Sequence, residues 1–278
     1  MLQDIYPHKL YNQYNPEIKA SDEDFVLMFE GRKVLSRFDD DKKDFRFPTV
    51  GEVKNKNSLI YLFAIDEEKY FLLQDKEEVE LAEYSFNDMK EIRENHIEPK
   101  YRIYATFTGK HLSDWYGDMK FCGRCGSPMK HSDTQRAMIC TSCEYTAYPR
   151  IMPAVIVGVI NGDKLLLTKY NRGYNHNALI AGFTEIGETV EETVEREVME
   201  EAGIKVKNIR YYKSQPWGVA NDILMGYYCE VDGDDTIHRD EDELKSAEWT
   251  LREDIVLQPD ESSLTNEMMK MFKEGIVK

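Results

Sequence analysis

Residues 182–204 read GFTEIGETVEETVEREVMEEAGI. Thr189 followed three residues later by Glu192 marks a helix start, the hydroxyl taking a free backbone amide and the carboxylate reaching back. Gly203 is where that helix should stop, because glycine takes the left-handed closing turn at little cost. Between them Val190, Val194, Val198 and Ala202 recur every fourth residue and predict one apolar stripe. Carboxylates stand at Glu191, Glu192, Glu195, Glu197, Glu200 and Glu201. Of these, Glu197, Glu200 and Glu201 are spaced i, i+3, i+4 and share a face beside the stripe. Three crowded anions repel one another and call for a cation. Hard divalent ions suit carboxylate oxygens, and Mg2+ commonly rests on one or two carboxylates plus substrate phosphate. The ordinary reading of a Glu-rich helix is a solvated acidic face. Here the spacing says more: the pattern G-x5-E-x7-R-E-V-x-E-E-x-G-I is met by Gly182, Glu188, Arg196, Glu197, Val198, Glu200, Glu201, Gly203 and Ile204.

Strand signals surround this helix. Ala154 to Ile160 is a continuous apolar run, Asn161-Gly162 a hairpin turn, and Lys164 to Lys169 a second strand. Asn171 to Asn177 is a polar loop, and Leu179 to Phe183 leads into the acidic helix. Val206 to Lys213 and Ile223 to Val231 read as strands, Glu248-Trp249 ends another, and Ser262 to Glu274 reads as a closing helix. This order predicts an α/β fold, an α/β/α sandwich around a mixed sheet. The nine-position pattern and the element order resemble the Nudix hydrolases. The resemblance implies Mg2+ or Mn2+ held by Glu197, Glu200 and Glu201, with water attacking a phosphoanhydride. It places a further acid on a later loop. Glu243, six residues before Trp249, matches that position, and Asp240, Glu241 and Asp242 crowd the same loop as alternatives. Arg196 is expected to orient the glutamates through charge-assisted bonds. Gly182 would permit close backbone approach, and Ala181 would face the adenine or ribose by resemblance.

Four of the five cysteines form two pairs, Cys122-Gly-Arg-Cys125 and Cys140-Thr-Ser-Cys143. Each C-x2-C suits a tight knuckle that aims two thiolates at one point, and four sulfurs make a closed tetrahedral site for structural Zn2+. Disulfides are the competing reading, weak in a chain expected to be cytoplasmic, where thiols stay reduced. Such a ribbon often binds nucleic acid, but a closed site here is expected to stiffen a module of about 30 residues that lacks its own core. Cys229, in an apolar run, reads as a buried strand residue.

Ser214-Gln215-Pro216-Trp217 begins ten residues beyond Ile204. The Nudix branch of NADH pyrophosphatases carries Ser-Gln-Pro-Trp-Pro-Phe-Pro-x-Ser at this place, and it too has a zinc ribbon followed by an aromatic-Pro pair, here Tyr148-Pro149. The chain is similar to that branch over about 120–278. The resemblance implies hydrolysis of NAD(H) to NMN(H) and AMP, removal of NAD caps from RNA, and a homodimer. It assigns the substrate to Gln215, Pro216, Trp217, Asn221 and Asp222, with Tyr148 stacking on a base. Gly218, Val219 and Ala220 replace Pro-Phe-Pro, which leaves two alternatives open. One is a Nudix hydrolase of another nucleoside diphosphate derivative such as ADP-ribose. The other is a non-catalytic ligand-sensing or nucleic-acid-binding protein, against which the intact glutamate set argues.

The remaining sequence sets bounds. At 278 residues the chain has room for two compact domains. Its formal net charge of −16 argues against undirected nucleic-acid binding. No apolar run is long enough to span a bilayer and the first residues are no secretory signal, so a cytoplasmic protein is expected. In the N-terminal third, Phe25 to Phe29 reads as a strand. Ser58 to Ala64 and Tyr70 to Leu73 read as a hairpin about the acidic turn Asp66-Glu67-Glu68. Lys76 to Glu94 reads as one or two exposed helices. Tyr101 to Met119 reads as a connecting helix packed through Leu112, Trp115 and Tyr116. The expected order is a smaller N-terminal α/β domain over 1–100, the helix over 101–120, the ribbon over 121–149 and the Nudix-like domain over 150–278.

Overall fold

The computed structural model describes residues 1–38, 44–54, 56, 58–74, 81–95, 97–173 and 175–277. The chain divides into two compact units. One holds Leu2–Arg150 and Gly218–Asn221; the other holds Met1, Ile151–Trp217 and Asp222–Lys278.

The first unit runs through β1 (Leu10–Tyr11), β2 (Phe25–Leu27), β3 (Phe29–Glu30), β4 (Lys33–Ser36), β5 (Leu59–Ile65), β6 (Glu68–Leu73) and β7 (Ser85–Asp88). It continues through α1 (Met89–Glu94), α2 (Lys100–Asp118), β8 (Met129–His131), β9 (Met138–Cys140) and β10 (Thr146–Ala147). The expected hairpin is β5–β6, turning at Asp66 with φ 50°. The sheet orders are β1-β5-β6-β2, β3-β4-β7 and β10-β9-β8. Alternation along Phe25 to Phe29 explains why this stretch serves two cores. Leu27 and Phe29 join Phe63, Tyr70 and Leu72, while Val26 and Met28 join Val50 and Leu73. From α2, Ile103, Tyr104, Phe107, Leu112, Trp115 and Tyr116 fill the first of these cores.

The exposed helices expected over Lys76 to Glu94 are only partly tested, because 76–80 lie outside the described residues. Over 81–94 the expectation holds for Met89–Glu94 alone. Ser85–Asp88 is a strand paired with β4, and the helix is α1 alone, started by Asp88, whose side chain accepts from the Lys90 amide at 2.8 Å. Phe86 packs on the second core and Met89 and Ile92 are buried, so the apolar residues here follow two periods in succession.

The second unit comprises β11 (Met152–Asn161), β12 (Lys164–Tyr170), β13 (Ile180–Phe183), α3 (Val190–Ala202), β14 (Val206–Trp217), β15 (Asp222–Val231), β16 (Leu244–Leu251) and α4 (Leu264–Lys273). The sheet order is β14-β15-β11-β12-β16, with β13 added on β11. β11 and β15 are parallel; the other pairs are antiparallel. β11 is apolar on both sides, and strand alternation divides it. Val155, Val157 and Val159 meet Val194, Val198 and Ala202 of α3, whereas Ile156 and Ile160 meet Leu264, Met268, Met269 and Phe272 of α4. One helix therefore covers each face, which is the α/β/α sandwich read from the sequence.

Several strands exceed their expected lengths, among them β16 and β14. β16 continues past Trp249, and β14 continues through Ser214-Gln215-Pro216-Trp217, which pair with Asp222 to Met225. That motif lies within β14. Pro216 is tolerated because β14 lies at the sheet edge, where a missing donor costs no ladder bond.

Candidate active site

α3 begins with the expected reciprocal cap. The Glu192 amide donates to Thr189 Oγ1 at 3.2 Å, and Glu192 Oε2 accepts from the Thr189 amide at 2.7 Å. It ends at Gly203 with φ 70°, where an added Cβ would lie 2.7 Å from His238 Cβ. Val194, Val198 and Ala202 are fully buried. That stripe fixes the rotation of the helix and sets Glu197 and Glu201 toward β13.

Arg196 organises the acids. Its guanidinium donates to both Glu188 oxygens at 2.6 and 2.9 Å, to Glu197 Oε1 at 2.8 Å, to Glu200 Oε2 at 3.0 Å and to the Phe183 carbonyl at 2.9 Å. This fork holds Glu188 down to about 2, while the carboxylates push the guanidinium further up. Glu188 sits in the sequence pattern, yet it was not singled out as a site residue. The structure makes it the anchor of the fork, and Thr193 Oγ1 adds a bond of 3.0 Å.

Gly182 has one clear reason to be glycine. A Cβ there would stand 1.9 Å from Glu197 Cδ and 2.0 Å from Oε1, so the carboxylate occupies the space a side chain would need. Burial raises the Glu197 carboxyl above its ordinary range.

Glu201 is 2% exposed. Its Oε1 accepts from the Ala181 amide at 3.4 Å, and its Oε2 is buried without a partner among the described residues. Burial, with Glu197, Glu243 and Asp240 nearby, pushes it up to about 8. A sealed carboxylate oxygen with no donor is costly unless protonated or matched by a cation. Its donor chemistry therefore fits a hard divalent ion.

The later acidic loop is tied to the same place. The Asp240 amide donates to the Glu201 carbonyl at 2.9 Å, and the Asn171 amide donates to the Glu243 carbonyl at 2.9 Å. Asn171 Nδ2 adds bonds to the Glu241 and Asp242 carbonyls at 2.8 and 3.0 Å. Sequence reasoning missed both Asn171 and its neighbour Tyr170. The Tyr170 hydroxyl donates to the Leu179 carbonyl at 3.3 Å, and burial among Glu201, Glu243 and Glu197 raises its pKa. A tyrosine closing a strand before a polar loop carries no sequence signal of such a place.

The substrate residues expected from the sequence fall in varied settings. Ala181 and Gly182 touch the glutamates directly. Gln215 is fully buried; its Nε2 donates to the Ser262 carbonyl at 2.8 Å and its Oε1 accepts from the Leu264 amide at 2.7 Å. The amide thus secures the start of α4. Pro216 is exposed and Trp217 half-buried. Asn221 takes φ 61° and groups with the first unit. Asp222 is buried with Oδ1 unpartnered among the described residues, and burial pushes it up to about 7. Tyr148 is 54% exposed, and its hydroxyl donates to Gln135 Oε1 at 3.3 Å.

In the first unit, Cys122, Cys125, Cys140 and Cys143 are free thiols whose sulfurs all lie within 4.8 Å of one another. Backbone amides of Arg124, Ser142 and Cys143 point at Cys122 and Cys140 sulfurs at 3.4 Å, the geometry of two knuckles. Bonds from Ser127 draw the Cys125 thiol down to about 6. These are sulfurs prepared for a metal. Among the described residues they are the one group of three or more metal-binding side chains so closely drawn; the glutamates are spread more widely. Cys229 is fully buried in β15, as its apolar setting predicted.

Comparison with known proteins agrees with this geometry. Residues 150–272 match the NUDIX domain, and residues 119–148 match the NADH pyrophosphatase zinc ribbon domain. The NAD-capped RNA hydrolase NudC of Salmonella schwarzengrund (strain CVM19633) is 40% identical over 163 residues, 58% of this chain and 63% of that protein. The same-named protein of Citrobacter koseri (strain ATCC BAA-895 / CDC 4225-83 / SGSC4696) aligns to the same extent. The chain thus spans 63% of the length of the relatives it matches. A solved NUDIX hydrolase from Nitrosomonas europaea is 22% identical, covering 56% of this chain and 91% of its own, with TM-score 0.49. Residues 150–272 thus carry a NUDIX domain, with the nine-position motif on a capped helix, and residues 119–148 ahead of it carry a zinc ribbon domain of the NADH pyrophosphatase type, with four converging thiols.

Proposed function

We propose that this protein hydrolyses the pyrophosphate of NAD(H) to NMN(H) and AMP, and by the same cleavage removes NAD caps from RNA. The observation that carries the reading is Glu201, a sealed carboxylate with one oxygen unmatched beside the Arg196-ordered glutamates. Mg2+ or Mn2+ would be held by Glu197, Glu201 and Glu243, with Glu200 sharing, while Zn2+ would fill the four-cysteine centre. A divalent ion at the glutamates supplies positive charge that offsets the charge building on phosphate and lowers the pKa of bound water.

The chain's own residues supply order. Arg196 spends its donors on Glu188, Glu197, Glu200 and the Phe183 carbonyl, so the acids meet the substrate in fixed rotamers. Gly182 leaves room for the Glu197 carboxylate against β13. The Ala181 amide holds one oxygen of Glu201, which leaves the other for the ion. Glu243 stands on the loop pinned by Asn171 and is the candidate base for the attacking water. Tyr148, Trp217, Asn221 and Asp222 are the proposed contacts to the nucleotides. The proposal includes a homodimer in the cytoplasm; among the described residues no helix is long and apolar enough to cross a membrane.

A second reading has its own support. Gly218-Val219-Ala220 offers no aromatic face after Trp217, which favours a substrate without nicotinamide, such as ADP-ribose. Product analysis with NADH, NAD+, NAD-capped RNA and ADP-ribose at fixed Mg2+ and Mn2+ decides between them. NMN(H) release outpacing cleavage of ADP-ribose supports the first reading, and the reverse order replaces it.

A further inference from the structure

The ribbon presents a face that neither its thiol centre nor its packing employs. In β8, β9 and β10, Lys130 opposes Ile139 and Ile139 opposes Thr146. Phe121 bridges Pro128, two residues before Lys130. Opposed residues share a side of a sheet and side chains alternate along each strand. Phe121, Lys130, Ile139 and Thr146 therefore lie on one side, with Tyr148 two residues beyond Thr146. The reverse side carries Met129, Met138 and Ala147, and Met138 belongs to the buried core of this unit. Packing is thus satisfied from the reverse side. On the free side Phe121 is 64% exposed, and Lys130 is exposed beside it. In the first knuckle, the Arg124 guanidinium lies over the Tyr145 ring at 4.9 Å.

Charge singles out the same module. Of the chain's 36 Lys and Arg residues, five fall within 119–150; of its 52 Asp and Glu residues, two do. A Zn2+ on four thiolates carries two net negative charges, yet the module stays on the basic side while the rest of the chain is strongly acidic. Lys120, Arg124 and Lys130 form no ion pair with any described residue. Cations interleaved with exposed aromatic rings are the recognition chemistry of single-stranded nucleic acid, in which bases stack on rings and phosphates meet cations. Paired bases offer no free face to stack, which excludes a duplex as the preferred occupant.

We propose that this face of the ribbon binds single-stranded RNA, with a base stacked on Phe121 and phosphates against Lys130, Arg124 and Lys120. The inference deepens the reading of the Nudix site as a cap-removing centre and rests on it. The ribbon would hold the RNA whose 5′ end that site cleaves, and Phe121, Lys130, Arg124 and Lys120 are dispensable for free NADH.

The test uses the full-length, zinc-loaded protein and a fluorescein-labelled, uncapped single-stranded RNA of about 20 nucleotides, longer than typical single-module site sizes. Anisotropy should show Phe121→Ala weakening binding about tenfold. Lys130→Glu should also weaken it and lower the salt slope by about one phosphate contact. Hydrolysis of NADH should stay within about twofold of wild type in both, while kcat/KM on NAD-capped RNA falls in parallel with binding. Should Phe121→Ala lose zinc, the double variant Lys120→Glu/Arg124→Glu carries the same test from the knuckle. Unchanged RNA affinity overturns the proposal. So does an equal loss on an RNA duplex, which would mark a nonspecific charge effect, or a change in oligomer mass with RNA affinity intact, which would mark a contact between copies. Absence of NADH hydrolysis in the wild type would instead sink the reading of the Nudix site, and the RNA titration would remain readable.

Discussion

Cys122, Cys125, Cys140 and Cys143 bring their sulfurs within 4.8 Å of one another, whereas Glu197, Glu200, Glu201 and Glu243 form no group that tight. The thiol centre is built from two short knuckles and backbone amides, and it closes on itself. The glutamates are bound by groups other than a metal: Arg196 donates to Glu197 and Glu200, and the Ala181 amide donates to one oxygen of Glu201. A site saturated by protein ligands can only stabilise, while a site left short of ligands has room for water and phosphate. On the proposed function, the first serves structure and the second chemistry.

The sharpest way to break this contrast is to remove one ligand from each centre. Glu201→Gln should reduce turnover of dinucleotides by at least about 10³-fold, since a catalytic cation contributes several kcal/mol at the transition state. Its zinc content and melting temperature should not fall. Steady-state kinetics with Mg2+ check this, and near-normal turnover would show that the open centre lies elsewhere. Cys140→Ser should take zinc from one ion per chain to none by mass spectrometry and destabilise the first unit, because a structural metal contributes folding free energy. If that variant keeps zinc and stability, the closed centre is misassigned.

Smaller changes sharpen the picture. Gly182→Ala places a methyl where Glu197 now lies, so a drop of about 10²-fold in turnover is expected from misplacement alone. Overpacking should cost about 1–3 kcal/mol in denaturant melts. A fully active Gly182→Ala would mean that Glu197 is free to move and is not positioned by β13.

The smallest effect is on pH. Burial holds Glu201 at about 8 against an ordinary 4.5, and Asp222 at about 7 against 3.8. In the folded chain each keeps its proton to higher pH than in the unfolded chain. Their contribution to stability is therefore present below about pH 4 and is lost as pH rises toward 8. In buffer free of added divalent ions the melting temperature should fall between pH 5 and 8. Glu201→Gln should flatten that slope by several degrees, at about 2–4 °C per kcal/mol. Added Mg2+ should flatten it in the wild type as well; a slope indifferent to both would show that Glu201 is not sealed.

Much of this was legible in the chain because it depends on near neighbours. The cap at Thr189, the stop at Gly203, the stripe of Val194 and Val198 and the cysteine knuckles are set by residues a few positions apart. The β11–β12 hairpin and the closing helix were readable for the same reason. Over 81–94 a strand and a short helix share one polar stretch, and propensity alone could not part them. The strand read from the sequence stops at Lys213, because the edge position that admits Pro216 is a property of the whole sheet. That Gln215 secures the start of α4 was not readable, because its partners Ser262 and Leu264 lie 47 and 49 residues away.

By itself, then, the sequence determined the α3 cap-to-cap helix, its acidic face, the paired thiol knuckles and an α/β/α order. Spacing along the backbone is enough to specify each of these. Only the tertiary structure decided that Glu201 is sealed with one oxygen unmatched, that Gly182 exists to admit Glu197, that Tyr170 lies among the acids and that Gln215 faces inward. Each depends on which distant segment fills the neighbouring volume, and burial and desolvation arise only when those segments meet.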